Sequence, residues 1–219
     1  LALMRTKRHL PIADLLGWGV YRQESLAMDR MALEAFYQDR GFLEVKVTAP
    51  KVTLSPDRSR ARVRVVLEEG PRYRVGTVEL AGDLIDDSRA ARPSAVHIPR
   101  ALLFTRLGLG PGAIAGRSAL SSGVNAVADL YRNRGYAYVN VDVQPRLDRE
   151  QGRFDLRLML EAGPRVTIER IEIVGNDKTR DEVIRRELRV FEGEPYSAEA
   201  LRRSEARVRA LGYFGQVRV

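Results

Sequence analysis

The chain of 219 residues contains no cysteine, which excludes a disulfide scaffold, a thiolate-ligated metal and a thiol nucleophile together. Aromatic residues make up only 7%, with a single Trp. Apolar runs extend for a few residues at most, far below the ~18 that a membrane-spanning helix needs. The start shows no basic segment, apolar stretch and small-residue cleavage site, so a secretory signal is not expected in it. The two histidines, His9 and His97, belong to no spaced ligand motif and read as ordinary side chains.

Charge is present in quantity, 30% of residues with a formal net +8 and a pI near 10.1. Such a balance favours anionic partners, either nucleic acid or a phospholipid surface. The bases, however, are 33 Arg against four Lys (Lys7, Lys46, Lys51 and Lys178), scattered along the chain among 29 acids. A dedicated nucleic-acid surface is therefore not expected. A 44% hydrophobic content fits a globular chain of one to three domains.

The organising feature is an internal repeat. Phe36-Tyr37-Gln38-Asp39-Arg40-Gly41-Phe42 returns as Leu130-Tyr131-Arg132-Asn133-Arg134-Gly135-Tyr136. Gly70-Pro71-Arg72 returns as Gly163-Pro164-Arg165, and Val75, Val78, Leu80 and Gly82 match Ile168, Ile171, Ile173 and Gly175. A third helix-to-glycine segment ends in Gly212-Tyr213-Phe214.

Each copy has apolar residues at helical spacing: Leu26, Leu33 and Phe36; Leu120, Val127 and Leu130; Leu201, Val208 and Leu211. Alternating segments follow, read as strands from Val45 and Val47 and from Tyr136 to Val141. Polar turns at 55–59 and 148–152 precede returning strands whose apolar faces are Ala61, Val63, Val65 and Leu67, then Phe154, Leu156, Leu158 and Leu160. Thr179 to Glu182 has the spacing of a capping box, before Val183, Ile184 and Leu188. One repeat thus reads strand, helix, helix, strand, strand. The boundaries expected are 1–71, lacking the opening strand, 72–163, and 164–219, ending in its second strand.

On these residues the chain resembles the POTRA family, the polypeptide-transport-associated modules of outer-membrane assembly proteins. Gly175 to Leu188 is similar to the first strand and helix of the module, and Leu211 to Val217 to the end of its second helix. The order resembles the third, fourth and fifth POTRA modules of barrel-assembly proteins. The resemblance implies an α+β fold of tandem β-α-α-β-β units, two helices on a three-stranded mixed sheet. It departs at 83–100, where Asp86, Asp87, Arg89 and Arg92 lie in an insertion read as an exposed loop, and at Gly123, which replaces Asp29 and Ser204 of the other copies.

No enzyme is expected. Leu107 to Gly112 follows a helix and contains Pro, so it reads as a helix–helix connection rather than a dinucleotide loop. Glu68-Glu69 and Asp86-Asp87 lack a partner base. The glycines Gly41, Gly82, Gly135, Gly175 and Gly212 read as turns and caps.

If the opening strand pairs with the last, as the resemblance implies, the middle strand is a sheet edge offering unpaired main-chain groups. Those edges are Glu44–Thr53 and Ala137–Pro145, with Val45, Lys46, Val47, Val52, Tyr138, Val139, Asn140 and Val141 as candidate substrate-binding residues. Pro50 and Pro145 would limit the pairing. Arg185, Arg186, Arg189, Arg202 and Arg203 are candidates for contact with an acidic partner or anionic head groups.

The resemblance implies a periplasmic scaffold at the outer membrane, without cofactor or metal. Its partners would be unfolded outer-membrane proteins, accessory assembly lipoproteins, a barrel not contained in this sequence, and an anionic membrane surface. A related outer-membrane translocation or secretion factor is the alternative within transport, and a basic RNA-binding module the alternative outside it. The latter would need salt-sensitive affinity and exposed stacking aromatics.

Overall fold

The computed structural model describes residues 23–56, 61–85 and 97–218. In order they form α1 (Gln23–Gln38), β1 (Lys46–Val47), β2 (Lys51–Leu54), β3 (Ala61–Arg64), β4 (Leu67–Glu68) and β5 (Arg74–Gly82). There follow α2 (Arg100–Leu107), α3 (Arg117–Arg132), β6 (Asn140–Asp148), β7 (Arg153–Glu161), α4 (Asp181–Arg185) and α5 (Ala198–Ala210). This is an α+β chain; the second repeat shows the order strand, helix, helix, strand, strand, whereas the third, among its described residues, has helices alone and forms neither the opening nor the second strand expected of it.

Backbone contacts gather into two compact units. Of the described residues, the first takes those up to Thr77, Gly110–Ser121 and Pro145–Asp155; the second takes those within Val78–Leu109, Ser122–Gln144 and from Leu156 onward.

In the first unit a hairpin is built from four short strands. β1 pairs antiparallel with β4 (Val47 opposite Leu67) and β2 with β3 (Lys51 opposite Arg64). Between these pairs three residues on one side, Thr48 to Pro50, face two on the other, Val65 and Val66. One extra residue in one strand is a β-bulge. Pro50 lies within it, at a place where no ladder donor is needed.

The second sheet has the order β5-β7-β6. Arg74 donates to the Gly152 carbonyl at one end of β5 and Asp83 to that of Leu160 at the other, so β5 and β7 run parallel. A four-residue turn joins β6 to β7. Phe154, Leu156, Leu158 and Leu160 alternate into the core, each at most 4% exposed. The seven-then-three spacing of α3 likewise buries Val127 and Leu130.

The insertion is anchored at its base. Ile98 donates to the Ile85 carbonyl and is fully buried. Asp86, Asp87, Arg89 and Arg92 lie outside the described residues.

The third repeat departs from expectation. Its opening segment, 164–174, carries no strand ladder; a single bridge joins Thr167 to Pro195. Ile168, Ile171 and Ile173 instead pack by their side chains on a cluster of Ile184, Leu188, Val190 and Val208. A strand exists by its partner, and alternation alone makes none. Nor does a capping box form: the residue before α4 is Arg180, without a side-chain cap bond, and the helix is a single turn.

Candidate interaction edges and repeat joints

The order β5-β7-β6 leaves β6 on the outside of its sheet. It runs nine residues, Asn140–Asp148, with Pro145 within it. A proline is tolerated there because its missing N–H would point away from the neighbouring strand. The edge starts later than the sequence suggests. Ala137, Tyr138 and Val139 form a turn, closed by the Val139 amide on the Tyr136 carbonyl. Val45 occupies the same turn position in the first repeat, bonded to Phe42.

Val45, Val47 and Val139 have buried side chains, so they can offer a partner only main-chain groups. Lys46 and Asn140 are exposed, Val52 and Val141 half-buried, and Tyr138 is 73% exposed. The first repeat's edge is broken by the bulge into strands of two and four residues.

The outer side of the opening segments is partly occupied. On β5, Val75 exchanges both main-chain bonds with Ala113 and Gly112, and Arg100 donates to the Leu80 carbonyl at 3.0 Å. In the third repeat Ile168 exchanges bonds with Glu194 and Gly193. The Ile171 N–H donates to Glu192 (2.9 Å), and the Ile171 carbonyl accepts from Arg185 (3.2 Å). Loops and side chains thus hold main-chain groups that a new strand would need.

The arginine candidates are mostly committed within the chain. Arg185 also pairs with Asp181 (3.0 Å), Arg186 with Glu187 (3.5 Å), Arg202 with Asp129 (3.0 Å) and Arg203 with Glu199. Arg189 has no ion pair among the described residues; its backbone amide donates to Ser204 Oγ at 2.7 Å.

Two joints between successive repeats lie one in each compact unit, and they are copies. At the first, Tyr73 N–H donates to the Gly41 carbonyl, Ala115 N–H to the Tyr73 carbonyl, and Arg72 Nε to the Arg40 carbonyl. At the second, Val166 N–H donates to Gly135, Tyr196 N–H to Val166, and Arg165 Nε to Arg134. The glycines stand at φ +92° and +99°, where a Cβ would come within 2.7 Å of the Tyr73 oxygen and of Arg165 respectively.

The first joint carries an addition. Glu44 accepts from Tyr73 Oη at 2.8 Å, and Arg149 grips the same carboxylate with Nε and Nη2, at 2.6 to 3.0 Å. The Arg149 hydrogen bonds, then that of Tyr73, hold the Glu44 carboxyl below its usual range. Burial first, and Glu44 second, push the Tyr73 phenol up. A cleft of about 560 Å³ beside them is lined by Glu44, Val45, Lys46, Glu68, Gly70, Pro71 and Arg149.

Of these, Val45 and Lys46 are candidates from the sequence and Glu44 begins the edge read there, but Tyr73 and Arg149 are not singled out. The signal available was positional: Asp39 and Asn133, or Arg72 and Arg165, put like chemistry at matching repeat positions. An apolar groove of about 530 Å³ in the second compact unit is lined by residues including Ile168, Ile173, Leu201 and Phe214.

The described residues hold no group of three or more His, Asp or Glu placed to bind a metal ion, and no helix long and apolar enough to cross a membrane.

The family model described as POTRA, surface antigen variable number repeat, matches residues 2–70 and 166–219. The chain is 32% identical over 197 residues to the outer membrane protein assembly factor BamA of Neisseria meningitidis serogroup B, across 90% of this chain and 23% of that protein. It is 29% identical over 204 residues to BamA of Nitratidesulfovibrio vulgaris, across 92% of this chain and 24% of that one. The chain therefore spans about a quarter of the length of these relatives. In fold it is similar to the Haemophilus influenzae BamA POTRA3-5 crystal structure, with TM-score 0.70, 20% identity and coverage of 98% of this chain and 85% of that one.

Proposed function

The chain belongs to the POTRA family, and from that membership we propose that it serves as a periplasmic scaffold in outer-membrane protein assembly. Three tandem modules at 1–71, 72–163 and 164–219 receive extended segments of unfolded outer-membrane proteins and dock accessory lipoproteins. Insertion itself falls to a barrel outside this sequence. The scaffold performs no chemistry of its own.

One observation carries the reading: β6 is the outer strand of its sheet, while the outer side of the opening segments is partly taken up by loops and side chains at Val75, Leu80, Ile168 and Ile171. An incoming extended chain therefore finds its free main-chain donors and acceptors along Asn140–Gln144, ahead of Pro145. Recognition through backbone bonds tolerates many sequences, as handling varied clients demands. The two short strands β1 and β2 provide a lesser edge at Lys46, Val47 and Val52. Tyr138, beside the start of β6, supplies an exposed ring for a client side chain. For an acidic partner, Arg189 is, of the five candidate arginines, the one that can engage without breaking an ion pair among the described residues.

The test is an NMR titration of isotope-labelled protein with an extended peptide from an outer-membrane β-strand, and separately with short RNA. Amide shifts along Asn140–Gln144 with peptide support the scaffold. RNA-induced shifts on arginine-bearing helix faces, lost in salt, would replace it with a nucleic-acid module.

A further inference from the structure

We propose that Glu44, Tyr73 and Arg149 form a latch that holds the β6–β7 turn against the first repeat, and that this latch sets the first joint apart from the second.

The two joints allow the latch to be separated from the joint itself. Their main-chain bonds correspond one for one, as do Arg72 and Arg165 on the preceding carbonyls. The backbone connection is therefore complete without side chains at the latch positions. At the second joint those positions hold other residues: Tyr138 stands where Glu44 stands and Val166 where Tyr73 stands. Neither can reproduce a carboxylate that accepts from a phenol and a guanidinium.

The geometry has the features of a device that holds and releases. Arg149 meets both carboxylate oxygens in a fork, Nε on Oε2 and Nη2 on Oε1, the arrangement that makes an arginine–carboxylate pair directional and stronger than a loose surface pair. Its own side chain is 73% exposed, so releasing it uncovers little surface. Tyr73, fully buried, fixes the other side of the carboxylate and leaves Glu44 one orientation.

The turn is shaped to present Arg149. Asp148 accepts from the Gln151 amide at 3.0 Å, closing the loop locally, and the Gly152 carbonyl accepts from Arg74. The Gly152 bond fastens the turn to β5 of its own repeat, whereas the Arg149 fork fastens it to Glu44 of the first repeat. Opening the latch leaves the turn fastened within its own sheet. The hairpin held in this way is the one whose outer strand is β6.

Two measurements test it on the intact chain. In wild type, the Arg149 Nε–H resonance, assigned by its loss in Arg149→Lys, should be shifted and protected from exchange, and Glu44→Gln should return it to the free-arginine position. An Arg149 Nε–H like that of a free arginine in wild type overturns the latch, whatever the variants do. Because the chain has no cysteine, spin labels at Met31→Cys and Glu150→Cys report the α1-to-turn distance without background. Glu44→Gln should broaden that distribution toward longer distances, while labels at Arg157→Cys and Ala206→Cys, in the second compact unit, stay unchanged. An unaltered Met31–Glu150 distribution, with the Arg149 signal lost, would show that the pair forms but holds nothing. Neither measurement involves a client peptide, so its outcome is separate from that of the edge-strand reading.

Discussion

Asp39 caps the helix of the following repeat through Ser118: its two carboxylate oxygens accept from the Ser118 amide at 2.8 Å and the Ser118 hydroxyl at 2.9 Å. Asn133 does the same service for α5, accepting from the Glu199 amide at 2.9 Å. The first amides of a helix have no partner within it, and here the preceding repeat supplies one. Asp39→Ala should destabilise the chain by about 1 kcal/mol, a Tm loss of roughly 2–4 °C. Asp39→Asn should retain most of the stability, since the second joint already works with an amide. Thermal unfolding of the three proteins decides it.

Gly123 lies inside α3, where alanine is intrinsically favoured by about 1 kcal/mol. The sign should reverse here. A Cβ at Gly123 would meet the Leu107 carbonyl at 2.1 Å, so the helices must separate. The other repeats fill the same position differently: Ser204 lies there with its hydroxyl on the Arg189 amide and the Ala200 carbonyl, and Asp29 is buried there. Gly123→Ala should lower the urea midpoint, and a stabilised variant would refute the close approach. Ser204→Ala should cost about 1–2 kcal/mol through the unpaired Arg189 amide.

Two carboxyls tie stability to acid. Asp155 Oδ1 accepts from the Thr77 amide at 2.7 Å and the Thr77 hydroxyl at 2.9 Å, which depresses its pKa, with Arg153 adding to the effect. Glu44 is depressed by Arg149 and then Tyr73. Both ionise more readily folded than unfolded. Their contribution is therefore present above the unfolded carboxylate values and is lost as pH falls through the folded ones, that is, below about pH 4. The Glu44→Gln, Asp155→Asn double variant should show a shallower loss of stability between pH 5 and pH 2, roughly spanning that window, in urea titrations. An unchanged slope would remove both groups from the acid response.

Pro145 should act as a stop on β6. Pro145→Val restores an N–H facing outward and lengthens the free edge beyond Gln144. Peptide-induced amide shifts should then extend into Arg146–Asp148, and sedimentation should reveal self-association rising with concentration. Shifts that still end at Gln144 would place the limit elsewhere.

Much of this architecture is readable from residue order. The alternation of Phe154 to Leu160 and the spacing of Leu120, Val127 and Leu130 translate directly into buried faces, because each pattern is local to one element. Errors arose where local pattern met a non-local requirement. Tyr136 to Val139 alternates like a strand, yet the Val139 amide finds the Tyr136 carbonyl first and turns the chain. Ile168 to Ile173 alternates too but lies without a ladder partner. Of the five candidate arginines, Arg185 and Arg203 pair one helical turn away with Asp181 and Glu199, a spacing legible in the sequence, whereas the Arg202 partner, Asp129, comes from another repeat. The latch escaped for the same reason, with Glu44 and Arg149 more than a hundred residues apart.

The joints have a consequence for how such a chain could arise and be rebuilt. Their common bonds run between main-chain groups, or from an arginine to a carbonyl, around a glycine that no other residue replaces easily. A connector of that kind asks almost nothing of the bodies it joins. A duplicated module would find its socket already made, and its surface could then diverge without disturbing the attachment. Arrays of this design should lengthen, shorten and exchange members by recombination at Gly41 and Gly135, each new neighbour then acquiring private side-chain fastenings of its own.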